Sequence, residues 1–308
     1  MSSTSHPGPG AARPPLAPLL ANPHADRVKA VRALAARAGR RRAGRYLVEG
    51  PQAVREVVRW APHLVVDVYL TQEAADRYAE IVEDAAAARL HLHVGTEEVL
   101  TAMSPDAQGV LVVADAAPGE RRPDDTGLVG PLDAGALDAV LATRPSLVAV
   151  LARVRDPGNA GTVIRVADAA GADAVVIAGE SVEATNPKVV RSTAGSLFHL
   201  PVVSGVPVTD AVAALRAAGL AVLAADGSGD LDLDDLQDAA ARDAGTGAAA
   251  DLRAPTAWLF GNEAWGLPSE DRDRADAVVR VPLRGRAESL NLGTAAAVCL
   301  YASSRAHR

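Results

Sequence analysis

Cysteine and aromatic side chains are scarce in this 308-residue chain, and it contains no long apolar run. Its one cysteine, Cys299, cannot form an internal disulfide, which favours a reducing compartment. Aromatic residues make up 3% of the sequence, so the core is predicted to be aliphatic. No stretch approaches the roughly 20 apolar residues that span a bilayer, and the N-terminus lacks the apolar core of a secretion signal. The sequence therefore predicts a cytoplasmic protein with no membrane segment.

Two glycine-rich phosphate-binding motifs are also absent. No predicted strand is followed by G-x-G-x-x-G and no P-loop occurs, which argues against a dinucleotide-binding dehydrogenase and against a nucleotide-triphosphate enzyme. An excess of positive charge is missing too, since the formal net charge is −7. Basic residues are nevertheless concentrated between His24 and Trp60, where ten stand against three acidic ones. This local charge fits either a nucleic acid at one surface or a solvated helix face.

Alternating strand-like and helix-like segments predict an α/β protein with two domains. Residues 147–154 are aliphatic except for Arg153, as expected of a buried parallel strand. A stretch rich in proline, glycine and charge precedes that run and is the best candidate for a linker. The predicted organisation has four parts, namely a disordered tail (1–21), a small α/β domain (22–115), a linker (116–145) and a second α/β domain (146–308).

Several element boundaries follow from apolar periodicity and from the positions of glycine and proline. Residues 27–38 predict one amphipathic helix, which is followed by a turn at 39–44. Residues 73–88 predict a single helix. The strand near the C-terminus is expected to end at 283. The acidic, alanine-rich segment 227–253 is predicted to be an insertion with a short helix at best.

Three polar loops directly follow predicted strands of the second domain, at the edge where ligands bind in open α/β folds. In the first loop, Asn159 suits a helix N-cap and Gly161 allows a close backbone approach. Arg165 follows on the same helix. The alternative is that this segment is an ordinary turn with a surface arginine.

The second loop places Glu263 between Gly261 and Gly266, and the two glycines permit a sharp turn. A carboxylate there would orient a polar ligand or an arginine, unless it is merely solvated. The third loop leads from an apolar strand into the last helix, with Ser289 or Asn291 as its candidate cap. Alone, that third stretch is an ordinary strand, turn and helix. The order and spacing of the three loops make a shared site at one sheet edge the stronger prediction.

Together these loops resemble the three motifs of the SpoU family, S-adenosylmethionine-dependent RNA ribose 2′-O-methyltransferases of the SPOUT superfamily. The segment from Lys188 to Pro201 is similar to the sequence between motifs in that family. Residues 44–50 resemble the opening of the small ribosomal-protein-like domain with which many members bind their substrate. The motif positions are Asn159, Gly161 and Arg165; Gly261, Asn262, Glu263, Gly266 and Leu267; and Val281, Pro282, Leu283, Glu288, Ser289, Leu290 and Asn291.

The resemblance implies an α/β fold with a C-terminal SPOUT-type parallel sheet, a deep trefoil knot and a small N-terminal α/β domain. It implies S-adenosylmethionine as the cofactor and no metal. It also implies a homodimer in which each site is completed across the interface. Leu283 stands where the family often has methionine, an exchange of similar volume. The implied cofactor-binding residues are Leu259, Phe260, Gly261, Asn262, Gly266, Val281, Pro282, Leu283 and Leu290.

The implied chemistry is methyl transfer to a ribose 2′-hydroxyl of structured RNA, with 23S ribosomal RNA the first expectation and transfer RNA the second. The family's base is the first-motif arginine, here Arg165. Because a guanidinium keeps its proton to a pKa above about 12, Arg165 either takes the proton late or stabilises the developing alkoxide. The implied catalytic residues are Asn159, Arg165, Glu263, Ser289 and Asn291.

RNA contact is expected from the basic N-terminal domain, from Arg191 in the segment between motifs, and from Arg153 or Arg155. The implied contacts are Arg40, Arg41, Arg42, Arg45 and Arg191. The few aromatic side chains available for stacking on bases are Tyr46, Trp60 and Trp265, and each also fits a structural role. A non-catalytic RNA-binding or ribosome-assembly protein on the same fold is the alternative hypothesis.

Overall fold

Two α/β units, each built on its own sheet, make up the described part of the chain. The computed structural model describes residues 19–116, 128–242, 250–262 and 264–308. The N-terminal unit has helices α1 (Asp26–Ala33), α2 (Arg37–Ala43), α3 (Pro51–Trp60), α4 (Gln72–Arg77), α5 (Ala79–Ala87) and α6 (Glu97–Met103). Its strands are β1 (Arg45–Glu49), β2 (Val65–Leu70), β3 (Leu92–Val94) and β4 (Val110–Asp115).

The sheet of the N-terminal unit has the strand order β1-β4-β2-β3 and carries helices on both faces. Strand β4 is antiparallel to both of its neighbours, and β2 and β3 are parallel. Because side chains alternate along a strand, Val110 and Val112 pack with α3 and α5, whereas Leu111 and Val113 pack with α1 and α6. Both faces of β4 are therefore buried.

The larger unit contains an eight-stranded sheet flanked by helices. Its strands are β5 (Gly130–Leu132), β6 (Leu147–Ala152), β7 (Ala174–Ala178), β8 (Pro201–Val206), β9 (Ala221–Ala225), β10 (Leu231–Asp232), β11 (Thr256–Phe260) and β12 (Ala277–Arg280). Its helices are α7 (Leu137–Ala142), α8 (Pro157–Ala169), α9 (Pro187–Ser192), α10 (Val208–Ala217), α11 (Leu233–Ala241), α12 (Ser269–Arg272) and α13 (Leu292–Ala306).

All neighbouring strands of the large sheet run parallel, in the order β10-β12-β9-β11-β6-β7-β8-β5. Every residue of β6, β7 and β11 is buried, and burial on both faces explains the continuous aliphatic sequences of β6 and β7. Parallel strands leave their carboxyl ends at one edge of the sheet. The loops that carry the three predicted motifs therefore meet at that edge.

Two segments predicted to lie outside the core join the large sheet. The predicted linker, 116–145, contains β5, which pairs with β8. The predicted insertion, 227–253, contains β10, which pairs with β12, and α11, whose Leu233 is fully buried. The structure thus shortens the linker and makes the insertion part of the sheet edge. Strands of two or three residues are too short to show a period in the sequence.

The arginine-rich segment near the N-terminus forms two helices instead of the predicted helix and turn. Helix α1 ends at Ala33, and α2 occupies most of the predicted turn, 39–44. A Cβ atom on Gly39 would lie 1.9 Å from the carbonyl oxygen of Ala33, so this glycine serves close packing. Gly44, with a φ of +62°, ends α2 in the left-handed conformation.

Two other predicted boundaries were wrong. The predicted helix 73–88 is interrupted at Tyr78, which separates α4 from α5. Strand β12 ends at Arg280 instead of 283, since Pro282 has no N–H to donate to a neighbouring strand.

Most of the predicted tail, 1–21, lies outside the described residues, but Leu20 is ordered. Its N–H donates to the carbonyl of Val94 at 2.8 Å, and its carbonyl accepts from the N–H of Thr96 at 2.9 Å. Ordered structure therefore begins before Asn22.

The two units share one apolar core. A single cluster of buried side chains includes Val54 and Val57 of α3 together with Leu197 and Phe198 of the larger unit. A Cβ atom on Gly195 would lie 2.3 Å from Cγ of Glu56, so the two surfaces touch closely. At this point the two units are therefore in direct contact, with no room for a side chain on Gly195.

Candidate active site

A cavity opens at the carboxyl edge of the large sheet, where β12, β9 and β11 are neighbours. Its volume is about 480 Å³, within the range of about 300–1,000 Å³ that is typical of small-molecule sites. The described residues that line it are Ala225, Asp226, Gly227, Phe260, Gly261, Asn262, Ala264, Gly266, Val279, Val281, Leu283, Glu288, Ser289, Leu290, Asn291, Leu292 and Ala295. Loops of the second and third motifs thus line the same cavity.

The loop after β11 is held closed by its own backbone and by Asn262. The N–H of Asn262 donates to the carbonyl of Gly266 at 3.0 Å, and the reverse bond is 2.8 Å. Asn262 is 6% exposed, and its Nδ2 donates to the carbonyl of Arg153 at 3.0 Å. Its Oδ1 accepts from the N–H of Ala264 at 2.9 Å. Asn262 therefore ties the loop to the end of β6.

Gly261 lies where the loop folds back on itself. A Cβ atom there would lie 2.4 Å from the carbonyl carbon of Gly266 and 2.5 Å from the nitrogen of Leu267. Both are backbone atoms that cannot move aside as a flexible side chain would. This part of the cavity wall consequently requires glycine.

Asn291 belongs to the cavity wall and also begins α13. Its Oδ1 accepts from the N–H of Gly293 at 2.9 Å, which is the N-cap bond predicted for either Ser289 or Asn291. Its Nδ2 donates to Oδ1 of Asn159 at 3.1 Å. The third motif is therefore linked directly to the first motif by two neutral amides.

Helix α8, which carries the first motif, packs closely on two other helices. Asp156 caps this helix instead of Asn159, because its side chain accepts from the N–H of Asn159 at 2.7 Å. A Cβ atom on Gly161 would lie 1.9 Å from Oγ of Ser192 in α9, and one on Gly293 would lie 2.6 Å from the Thr162 side chain. The close approach predicted at Gly161 is thus made to a helix.

The structure brings most of the predicted site residues together and leaves some outside the cavity. Leu259 is fully buried in the core below the cavity, and Pro282 lies in the third loop without lining it. Asn159 does not line the cavity but accepts a hydrogen bond from Asn291, which does. Glu263 lies outside the described residues. The predicted residues that do line the cavity are Phe260, Gly261, Asn262, Gly266, Val281, Leu283, Ser289, Leu290 and Asn291.

Arg165, the predicted base, does not line the cavity of its own chain. It lies on α8, six residues after Asn159, which corresponds to about 9 Å along a helix axis. Its side chain is exposed and makes no hydrogen bond or ion pair with any described residue. Arg165 is therefore free to meet a molecule outside this chain.

The loop after β9 also contributes to the cavity, and its residues were not among the predicted site residues. Ala225, Asp226 and Gly227 line the cavity, and Oδ1 of Asp226 accepts from the N–H and the hydroxyl of Ser228 at 2.9 and 2.6 Å. The available signal was the same as for the other loops, namely an acidic residue and a glycine directly after a buried strand. Glu288 also lines the cavity and was a motif position without an assigned role.

Arg40 is a correction to the predicted RNA contacts. It is 6% exposed, and its guanidinium pairs with Glu183 of the larger unit at 2.5 Å. It also donates to the carbonyls of Leu34 and Ala35 at 3.3 and 3.0 Å. A side chain so enclosed is not available to a phosphate, and Arg40 instead joins the two units.

The other predicted RNA contacts differ in how free they are. Arg191 pairs with the buried Glu49 and with Asp106 at 3.0 Å. Arg45 pairs with Asp115 at 3.2 Å on the surface. Arg41 and Arg42 are exposed and pair with no described residue. Within the described residues, Arg41 and Arg42 are therefore the predicted contacts whose charge is not already paired with a carboxylate.

A second, larger depression adjoins the cavity along the same sheet edge. It has a volume of about 840 Å³ and follows the carboxyl ends of β7, β8 and β5. Arg37 of α2 and Arg155 of the first motif line it from opposite units. We call this depression the interdomain cleft. It places charged side chains of both units beside the cavity.

Arg153 and Arg155 flank the end of β6 and have different partners. Arg153 donates to the buried Asp271 at 2.7 Å and to Glu270 at 2.8 Å. The Asp271 hydrogen bond raises the pKa of Arg153. Arg155 lies over the ring of Trp265, 5.6 Å from its centroid. Arg153 is thus fixed in place, and Arg155 remains at the surface.

Neither a metal cluster nor a bilayer-spanning helix occurs in the described ranges. No group of three His, Cys, Asp or Glu side chains among those residues is arranged to hold a metal ion. No helix formed by those residues is both long and apolar enough to cross a membrane.

The decisive comparison is with a protein family. The sequence model of the SpoU rRNA Methylase family matches residues 146–301. The chain belongs to the SpoU rRNA methylase family. The matched range begins one residue before β6 and ends within α13, so it includes the loops of all three motifs.

Relatives of this SpoU protein match it over most of its length. A protein named 23S rRNA (uridine(2479)-2′-O)-methyltransferase, from Streptomyces viridochromogenes, is 34% identical over 271 residues, which cover 86% of this chain and 84% of the relative. The solved structure of the SpoU methyltransferase AviRb from Streptomyces viridochromogenes, in complex with AdoMet, has a TM-score of 0.68 at 30% identity. The match covers 91% of this chain and 98% of that one.

A third comparison gives the same result. An AdoMet-bound rRNA methyltransferase from Sinorhizobium meliloti has a TM-score of 0.69 at 26% identity, over 94% of this chain and 97% of that one. These similarities confirm the predicted family and the SPOUT-type fold with its smaller N-terminal sheet. The knot, the domain roles and the roles of individual residues stay predictions.

Proposed function

We propose that this SpoU protein transfers a methyl group from S-adenosylmethionine to a ribose 2′-hydroxyl of 23S ribosomal RNA. The observation that carries the proposal is the convergence of the three family motifs on one cavity and its rim. The relatives whose names state an rRNA 2′-O-methyltransferase activity support the reaction and the class of RNA. An enzyme that acts on ribosomal RNA works where ribosomes are, so we place it in the cytoplasm.

The cavity fits S-adenosylmethionine by its size and by the chemistry of its walls. Backbone of the Asn262–Gly266 turn faces it, and Val281, Leu283 and Leu290 give apolar surface. The cofactor carries no phosphate, in agreement with the lack of a phosphate-cradling glycine motif. When bound, it supplies a methyl group activated on a sulfonium. The chain itself binds and orients the reactants, which accounts for much of the rate in such transfers.

Arg165 is proposed to act on the 2′-hydroxyl that gains the methyl group. As that oxygen bonds to the methyl carbon, the hydroxyl proton passes to solvent, and a guanidinium nearby lowers the energy of the negative charge that develops on the oxygen. Asn159, Ser289 and Asn291 are proposed to orient the ribose, since their polar groups meet at the cavity rim. Glu263 is proposed to orient the arginine or the ribose on the basis of its motif position alone.

A homodimer is proposed because the cavity of one chain lacks Arg165. In the dimer, Arg165 of a second copy would complete the site. Val298 and Tyr301 support this, since they are 38% and 49% exposed and lie three residues apart on α13. Apolar surface of this kind suits contact with another protein surface.

Mixed dimers test the shared site. At a low concentration of S-adenosylmethionine, Arg165→Ala and Gly261→Ala are each expected to lose most activity. The first lacks the arginine, and the second has an obstructed cavity that binds the cofactor weakly. Dimers formed by co-expression of the two variants are expected to regain activity, because one of their two sites then has both elements. Mixed dimers as inactive as their parents would show that each chain uses its own Arg165.

RNA is proposed to reach the site over the N-terminal unit, with residues 22–115 as the substrate-binding domain and 146–308 as the methyltransferase domain. Arg41 and Arg42 support this role, since both are exposed and unpaired within the described ranges. Contacts between arginine and phosphate predict an affinity that falls steeply with salt.

Incubation with labelled S-adenosylmethionine and unmodified 23S ribosomal RNA tests the function. Label is expected in the RNA, and alkaline hydrolysis, which stops at 2′-O-methylated riboses, locates the nucleotide. Transfer RNA and 16S ribosomal RNA serve as competing substrates. If no RNA is labelled while RNA binding persists, the protein is instead a non-catalytic RNA-binding or ribosome-assembly factor.

A further inference from the structure

Trp265 differs from the other tryptophans in its surroundings. Trp258 is fully buried, and its Nε1 donates to Ser303 at 2.9 Å. Trp60 is 59% exposed, but its Nε1 donates to Glu56 at the junction of the two units. Trp265 is 55% exposed and makes no hydrogen bond with the described residues. Within the described residues, the only contact recorded for its ring is the cation–π contact with the guanidinium of Arg155.

The position of Trp265 separates the cavity from the interdomain cleft. Its neighbours in the chain, Ala264 and Gly266, line the cavity. Its partner Arg155 lines the cleft. The indole and the guanidinium therefore lie side by side between the cavity and the cleft.

The exposure of Trp265 is not explained by the turn that carries it. That turn is closed by the backbone bonds between Asn262 and Gly266 and by the Asn262 side chain, none of which needs an indole. Burial of a large aromatic side chain normally stabilises the fold. More than half of the Trp265 side chain is exposed, so the free energy of burying that surface is available for binding a ligand.

Arg155 holds the indole while leaving room for another planar group. Its guanidinium lies 5.6 Å from the ring centroid, a contact typical of cation–π pairs. Its only other described partner is Glu180, at 3.4 Å, and that carboxylate is 85% exposed. Unpaired bases of RNA bind to such pairs by stacking on the aromatic ring and by contact of the phosphate with the arginine.

We propose that Trp265, supported by Arg155, is the platform on which an unpaired base of the RNA substrate stacks as the target ribose enters the site. This inference rests on the proposed function, because it assigns a nucleotide-positioning role within that reaction. Arg155 is a positioning residue that acts through Trp265 and the adjacent phosphate.

Steady-state methylation of 23S ribosomal RNA transcribed in vitro tests the platform. Trp265→Ala is expected to raise the KM for RNA about tenfold, as loss of one stacked base does, and to leave the Kd for S-adenosylmethionine unchanged. Trp265→Phe should restore most of the affinity, whereas Trp265→Leu, which is apolar but has no ring, should not. Trp265→Phe and Trp265→Leu are thus a matched pair at one position, since both are apolar and only phenylalanine has a ring.

Quenching of tryptophan fluorescence by a short oligouridylate gives a second readout. The wild-type protein should lose more emission than Trp265→Phe at the same oligonucleotide concentration. Arg155→Ala should raise the KM for RNA in the wild-type background and have much less effect in the Trp265→Ala background.

Three outcomes would overturn the platform: full activity of Trp265→Ala, rescue by leucine equal to rescue by phenylalanine, or a matching loss of cofactor affinity. The first would show that no base stacks there. The second would assign simple apolar packing to Trp265, and the third a role in the cofactor loop. Failure of the wild-type protein to methylate any RNA would instead refute the proposed function.

Discussion

The cavity and the junction between the two units are both polar, but they are built from different groups. At the cavity, neutral amide side chains hold the loops together, as in the hydrogen bonds of Asn262 to the Arg153 carbonyl and of Asn291 to Asn159. At the junction, charges are paired with charges. The pairs there are Arg37 and Arg40 with Glu183 and Arg191 with Glu49. The imidazole of His199 also contacts the carboxylate of Glu56 across the junction.

This difference shows that a basic sequence is not the same as a basic surface. Arg40 and Arg41 are adjacent in the sequence, yet Arg40 is neutralised within the protein and Arg41 is not. A buried charge requires a partner, so the junction takes up arginines that would otherwise bind phosphate. The cavity, by contrast, depends on backbone shape, and the neutral amides fix that shape without adding charge.

Replacement of Arg165 is expected to have the largest effect of any change on the cavity side. Arg165→Ala should lower kcat by about 100- to 1,000-fold, the usual loss when one group that stabilises a developing negative charge is removed. Calorimetry should show an unchanged Kd for S-adenosylmethionine, since Arg165 does not line the cavity. Wild-type turnover of this variant would remove Arg165 from the chemistry.

Gly261→Ala tests whether backbone shape defines the cavity. The added Cβ would collide with backbone of Gly266 and Leu267, so the Kd for S-adenosylmethionine should rise about tenfold to a hundredfold. Gly285→Ala is the matched control, because a Cβ there meets nothing within 4 Å. Equal cofactor affinity in the two variants would contradict the proposed cofactor wall.

A pair of arginine variants separates the junction from the RNA surface. Arg40→Ala should lower the free energy of unfolding by roughly 2–3 kcal/mol, because a buried ion pair is broken while Glu183 keeps Arg37. Its RNA affinity should keep the wild-type salt dependence.

The double variant Arg41→Ala and Arg42→Ala should behave in the opposite way. Its stability should be unchanged within about 0.5 kcal/mol, as for other surface positions, and its affinity for RNA should fall. The slope of log affinity against log salt should decrease by about 0.7–0.9 for each phosphate that the variant no longer binds. Equal salt slopes in all proteins would place RNA elsewhere.

The smallest expected effect concerns an ion pair remote from both regions. Asp276, at the amino edge of the sheet, accepts from Arg216 at 2.8 Å and from the N–H of Val222 at 2.8 Å. Burial acts to raise the pKa of Asp276, but the hydrogen bonds from Arg216 and Val222 leave it lowered. Its stabilisation should therefore be present above about pH 4, the pKa of an unfolded aspartate, and be lost as the pH falls further.

The comparison of wild type with Asp276→Asn isolates that effect. The difference in unfolding free energy should be below about 1 kcal/mol, because the carboxylate is 31% exposed, and it should shrink below pH 4. A difference that stays constant from neutral to acidic pH would mean that the charge of Asp276 is not what stabilises the fold.

Much of the site was accessible from the sequence because its loops follow buried strands. Gly261, Asn262 and Asn291 were predicted from turn and cap chemistry together with the family resemblance, and they do line one cavity. The loop at Asp226 was missed because its residues carry no motif. Their place in the cavity depends on β9 lying between β12 and β11, an order that is not the order of the chain.

Sequence alone determined the alternation of aliphatic strands with amphipathic helices, the polar loops at strand ends and the family, since these depend on local pattern. Only the tertiary structure decided which arginines stay free, that β5 and β10 complete the sheet, and that Arg165 lies outside the cavity of its own chain. The physical reason is that burial and charge pairing arise between segments far apart in the chain. Arg40 and Glu183, for example, are 143 residues apart and meet at 2.5 Å.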